Sequence, residues 1–182
     1  MAKTAYRLLS IYDGSDLSIR WQGGHESETT MAVNVTSLLA LLNLFDRSKS
    51  DGLTFENVLF TTHGSPGTIY FDGDYLNKDG LFKWFADGHY ETIFPFKTVK
   101  MYFDGCNVAD GEWGWQFLEA AGQTFLRGYG GYVLGWTSTG FGLPSLFPDY
   151  GGHTVHPWGD VRVVSVNPAG DGGLDLKRSS DD

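Results

Sequence analysis

Two segments of this chain, Thr62-His63-Gly64-Ser65 and Asp104-Gly105-Cys106-Asn107, hold the residue types that acyl chemistry requires. Each follows a run of β-branched and aromatic residues, 57–61 in one case and 97–103 in the other, and each closes on a glycine turn. Cys106 is the single cysteine. If the two runs are neighbouring parallel strands, their carboxyl ends bring an imidazole and a thiol to one sheet edge, where open α/β folds keep their chemistry. A free thiol has a pKa near ~8.5 and needs a partner to act as thiolate at neutral pH. His63 would take that proton and return it to a leaving amine. The backbone N–H groups of Gly64 and Cys106 would face the gap and stabilise a tetrahedral oxyanion, worth about 3 kcal/mol per donor in other acyl-transfer enzymes. Asp104 would orient the imidazole or, since alternation puts it on the same strand face as Cys106, shape the pocket. The plain alternative makes Cys106 a small packed hydrophobe and His63 part of a turn. Their joint occurrence in matching strand–turn contexts favours the pair.

The flanking pattern supplies the elements that would hold these residues. Residues 6–12 read as a first strand ended by Asp13-Gly14, and 17–21 as an edge-like strand. Leu38, Leu41, Leu42 and Phe45 recur at helical spacing after a Thr36 cap, and Ser50-Asp51-Gly52 stops the helix. The histidine strand follows, then a hairpin over 68–71 with an Asp72-Gly73 turn and a second helix over 76–87, with Leu81, Trp84 and Phe85 on one face. After the cysteine strand, Asp110 caps a third helix with Gly114, Phe117, Leu118, Ala121 and Phe125 on one side. Strands over 130–136 and 161–166 complete the set. Strands alternating with amphipathic helices imply a three-layer α/β sandwich with a mainly parallel sheet. One domain would cover 1–168. The Gly-, Pro- and aromatic-rich stretch from Thr139 to Asp160 reads as a mobile lid, and 169–182 as a disordered polar tail.

Composition narrows the partners. With 182 residues, 41% hydrophobic and 15% aromatic, the chain is long and apolar enough for a packed core. A net charge of -9 excludes a phosphate backbone and an anionic membrane surface as partners. No disulfide framework can form, which fits a reducing compartment, and no signal peptide is evident. The expected location is the cytoplasm, with leaderless export left open. His153 and His156 have a ligating spacing, but no cysteine or carboxylate cluster completes a metal site, and His25 and His89 stand in polar loops. Residues 170–175 contain one copy of a calcium-repeat-like string, which alone builds no site. Trp113 and Trp115 read as core or groove surface. No metal and no organic cofactor is called for.

A strand ending in His-Gly, a helix, and a strand ending in a small residue then Cys resemble the caspase-like cysteine peptidases, the group of caspases, legumains, gingipains, clostripain and separase. Thr62-His63-Gly64-Ser65-Pro66-Gly67 and Gly105-Cys106-Asn107-Val108-Ala109-Asp110-Gly111 resemble in particular a bacterial branch with Ser-His-Gly and Gly-Cys-Asn-Val-Ala patterns. The likeness spans about Asn57 to Ser138. Thr62 stands where that branch has Ser, and the Gln-Ala-Cys signature of true caspases is absent. The resemblance implies a hydrolase, a thiol endopeptidase acting on a peptide or protein substrate; separately, a standalone domain of this size leaves room for a partner protein. It places Trp136, Thr137 and Ser138 along the substrate pocket. It also places pocket residues after the first strand, where Asp13 and Asp16 stand, implying cleavage after Arg or Lys with Asp13 as the main determinant. Rival readings are a silent peptide-binding or effector module of the same fold, and transfer at another acyl group.

Overall fold

The computed structural model describes residues 4–24, 26–143, 153–155, 159–169 and 173–180. In chain order the elements are β1 (Ala5–Tyr6), β2 (Leu8–Tyr12), α1 (Leu17–Gly23), β3 (Thr30–Asn34), α2 (Leu38–Ser50), β4 (Thr54–Phe55) and β5 (Asn57–Thr61). Next come β6 (His63–Ser65), β7 (Thr68–Phe71), β8 (Asp74–Asn77), α3 (Lys78–Phe85), β9 (Lys100–Phe103) and α4 (Gly111–Phe125). The last are β10 (Gly131–Trp136), β11 (Phe141–Leu143), β12 (His153–Val155), β13 (Val161–Pro168) and β14 (Leu174–Ser180). The protein is an α/β fold around a seven-stranded sheet in the order β14-β13-β10-β9-β5-β2-β3. The five strands from β10 to β3 are mutually parallel, while β13 and β14 run antiparallel at one edge.

One face of this sheet is fully covered. Leu9, Ile11, Val58, Phe60, Met101, Phe103 and Val133 alternate along their strands and are buried against the helices. Phe45 from α2, Phe85 from α3 and Phe125 from α4 meet Tyr90 and Phe94 with ring centroids between 5.3 and 6.4 Å apart. Each such buried phenylalanine contributes roughly 1.5–3 kcal/mol. Ser37, one residue past the expected Thr36, caps α2 by accepting from the Ala40 amide at 3.1 Å. Asp110 caps α4 as expected, and all five predicted core positions of that helix are buried. Trp84 departs from its predicted face: it is exposed, with the Lys83 ammonium over its ring.

Three further expectations change. Residues 17–21, read as an edge strand, lie in helix α1, shown by Arg20 N–H to Asp16 C=O and Gly24 N–H to Arg20 C=O bonds of 2.9 and 3.1 Å. The alternation of Leu17, Ile19 and Trp21 fits a strand locally, but β2 and β3 are parallel neighbours and need a crossover between them. The helix predicted over 76–87 begins at Lys78, because Asp74–Asn77 pair with β7 and Asn77 then caps α3. The tail expected to be disordered is strand β14 over 174–180, in full antiparallel register with β13. Arg178 anchors it: its guanidinium donates to both carboxylate oxygens of Glu119 (2.7 and 3.0 Å) and of Glu112 (3.0 and 2.9 Å). The guanidinium groups of Arg162 and Arg178 both stand over the Trp115 ring, 4.9 and 5.4 Å from its centroid. These partners are far apart in sequence, so local composition did not reveal them.

Candidate active site

The topological switch point falls between β2 and β5. From β2 the chain moves outward to β3, then returns through α2 to β5 on the other side of β2. Loops leaving such a point diverge and open a crevice at the carboxyl ends of the strands. Those ends carry Asp13 to Asp16 after β2, His63 after β5 and Cys106 after β9. The ladder continues past each strand: the Asp13 amide donates to Thr61 at 3.2 Å and the Asp104 amide to Phe60 at 2.8 Å. Beneath them Phe60 stacks on Phe103 at 4.7 Å, and Phe117 meets Phe103 edge-on at 4.8 Å. This apolar floor fixes the separation of the two loops above it.

The cysteine turn is shaped by main-chain bonds. Asn107 adopts a left-handed conformation with φ 56°, and its amide donates to Ser138 C=O at 2.9 Å. Ala109 N–H donates to Trp136 C=O at 2.9 Å, and Gly67 N–H to Val108 C=O at 2.9 Å. Gly64 lies directly on this turn: a Cβ there would meet Val108 Cγ2 and stand 2.8 Å from the Cys106 carbonyl oxygen. His63 and Cys106 therefore belong to loops in van der Waals contact. The Cys106 side chain is half-buried, and its sulfur receives the Gly140 N–H at 3.4 Å while facing the Gly140 carbonyl at 3.8 Å. Among the described residues the Cys106 amide has no acceptor. Arg162 closes the turn from below, donating to Ala109 and Gly111 carbonyls at 2.8 and 2.7 Å.

The imidazole is held differently. His63 opens β6, paired with Tyr70 of β7, and its side chain is 58% exposed. Its Nε2 faces Asp16 Oδ2 at 3.1 Å, and among the described residues Nδ1 has no partner. The carboxylate seen in contact with His63 is thus Asp16. Asp13, expected to be the main pocket determinant, is only 2% exposed. Its Oδ1 accepts from the Ser15 amide and its Oδ2 from the Asp72 amide, each at 3.0 Å, tying the end of β2 to the β7–β8 turn. Both of its oxygens are thus engaged by main-chain amides rather than turned to solvent. Asp104 instead stands beside Tyr102 and Trp136, whose rings meet edge-on at 6.5 Å. Burial, then the Asp104 charge, push the Tyr102 phenol up to about 12, against a lowering by Trp136. Trp136, Thr137 and Ser138 run alongside the cysteine turn, with the Thr137 amide donating to the Asp160 carbonyl (3.1 Å) and the Thr137 hydroxyl accepting from the Asp160 amide (3.0 Å).

Tyr102, Gly140 and Arg162 were not flagged by the sequence. For Tyr102 the signal was present, since it alternates with the core residues Met101 and Phe103 and shares a strand face with Asp104. Among the described residues no group of three or more His, Cys, Asp or Glu side chains is placed to hold a metal ion, and no helix is long and apolar enough to cross a membrane. His89 pairs with Arg127 and Glu91 away from the site, whereas His25, His156 and residues 170–172 of the calcium-like string lie outside the described residues. So do 144–152 and 156–158 of the expected lid. Its described part forms the β11–β12 hairpin. No family model matches this chain, and no curated protein sequence does either.

Proposed function

We propose that the protein is a cytoplasmic, caspase-like cysteine endopeptidase acting through His63 and Cys106. The observation that carries this reading is the contact of the two loops, Gly64 against the Cys106 carbonyl, at the crevice of a parallel sheet. His63 takes the thiol proton, and the Cys106 sulfur attacks the scissile carbonyl carbon. The oxyanion is met by the Cys106 and Gly64 amides. Collapse breaks the C–N bond, and the imidazolium gives its proton to the leaving amine. Water, deprotonated by His63, then attacks the thioester and releases the acid with the free thiol. Asp16 balances the imidazolium in both steps. The chain order β5, His63, helix, β9, Cys106 supports the caspase-like assignment, as does β2 lying beside β5. With Asp13 sequestered and Asp16 on the imidazole, a basic side chain on the acyl side of the scissile bond would meet Asp104.

A second reading is favoured by Gly140, whose N–H and C=O both lie against the sulfur. In that reading the cleft holds a peptide without cleaving it. Reaction with peptidyl acyloxymethyl ketones bearing basic, acidic and neutral residues, followed by mass mapping, separates the two. Rapid labelling at Cys106 is expected, fastest with Arg or Lys. Cys106→Ala abolishes turnover and His63→Ala lowers kcat about 10²–10⁴-fold with the fold intact. Reactivity no greater than that of an unfolded-peptide cysteine would leave the binding module as the function.

A further inference from the structure

We propose that the exposed face of the β6–β7–β8 sheet receives the leaving-group side of the substrate, through Tyr70 and Tyr75, and that it selects a basic side chain there. This rests on the peptidase reading above. Register makes the face continuous with the site: His63 is directly opposite Tyr70, and Tyr70 directly opposite Tyr75. Directly paired residues point to the same side of a sheet with Cβ atoms about 4.5–5.5 Å apart, so imidazole and two phenol rings form one row. The opposite row, Gly64, Ile69 and Leu76, faces the core, with Ile69 and Leu76 fully buried. Tyr70 and Tyr75 stay 40% and 58% exposed.

Direction follows from proton transfer. The group that protonates the departing amine must stand next to that nitrogen, so the chain continuing from it passes His63 first. Strands lie about 4.8 Å apart and an extended peptide advances about 3.3 Å per residue, so its first three residues cross Tyr70 and Tyr75. Tyr70 is set in advance, its hydroxyl bonded to Ser65 Oγ at 2.8 Å. Two tyrosine rings attract a cation through their faces. Asp72, exposed at the turn two residues beyond Tyr70, and the net charge of -9 add to that attraction and disfavour an acidic residue.

The test uses internally quenched peptides with one acyl-side sequence and Arg, Ala, Phe or Glu at the first three leaving-side positions. A coumarylamide of the same acyl sequence, with no chain beyond the leaving nitrogen, accompanies them. Wild type should favour Arg over Ala by about tenfold in kcat/KM, mostly through KM. In Tyr75→Ala that ratio should fall to about one, whereas Tyr70→Phe, which keeps the ring, should retain it. Equal use of the four peptides, a preference for Phe or Glu, or an Arg preference surviving in Tyr75→Ala overturns the proposal. If wild type cleaves neither the peptides nor the coumarylamide, the peptidase reading fails and takes this one with it.

Discussion

The turn carrying Cys106 is fixed by main-chain bonds to β10 and to the β6–β7 turn and by the Arg162 guanidinium on its carbonyls, whereas among the described residues the exposed imidazole of His63 has one side-chain contact. A nucleophile held by backbone is insensitive to most side-chain changes around it and intolerant of anything that displaces the main chain. An imidazole held by one carboxylate is the reverse: easily retuned, little coupled to stability. The two loops therefore divide the work, one supplying position and the other adjustable charge.

The hardest break of that division is a methyl group between the loops. Gly64→Ala places a Cβ against Val108 and the Cys106 carbonyl, and neither can yield without moving the cysteine turn. Overpacking of this kind costs about 1–3 kcal/mol, and a displacement near 1 Å costs about 10²-fold in rate. Thermal melting should show a Tm lower by several degrees, and kcat/KM should drop about 10²-fold. An unchanged melting curve would mean that the loops are not pressed together. Asp16→Asn probes the other half. It keeps shape but removes the charge facing Nε2, so kcat should fall about tenfold with KM and Tm nearly constant, and Asp16→Glu should restore part of it. Equal loss in both variants, or a loss in KM alone, would show that Asp16 contacts substrate instead.

The smallest effect sharpens the description of the pocket wall. An unfolded tyrosine titrates near 10, and Tyr102 in the fold is held at about 12. Its neutral form therefore contributes stability that is complete below about pH 10 and is lost as pH rises towards 12. Wild-type stability should decline over that interval, and Tyr102→Phe should flatten the decline. Tyr90, pushed higher still by burial and by Asp46, accounts for further loss at the alkaline end. An identical alkaline limb in both proteins would mean that burial and the Asp104 charge do not hold the Tyr102 phenol neutral.

What was legible in the sequence was whatever is written locally. The buried face of α4, the Asp110 cap, the glycine turns and the strand ends carrying His63 and Cys106 all follow from spacing within about fifteen residues. Asp13 shows where that reading stops. By position after the first strand Asp13 reads as the main pocket residue, yet Asp72, 59 residues away, brings an amide to Asp13, which is buried. Asp16, three positions on, takes the contact with His63 instead. In the same way β14 is polar and would not hold alone. It becomes a strand because β13 offers a free edge and because Glu112 and Glu119 lie one helical face away, ready for Arg178.

That last strand also governs how the molecule meets its own copies. Beneath it lies β13, whose Arg-Val-Val-Ser-Val run, Arg162 to Val166, pairs at every residue with a neighbour on each side. An uncovered run of that composition is the kind of template on which chains associate edge to edge. β14 replaces it at the border with Asp175, Lys177 and Arg178 on a strand of mixed charge. A chain cut after Pro168 would keep every residue assigned to the chemistry and lose its protection against aggregation.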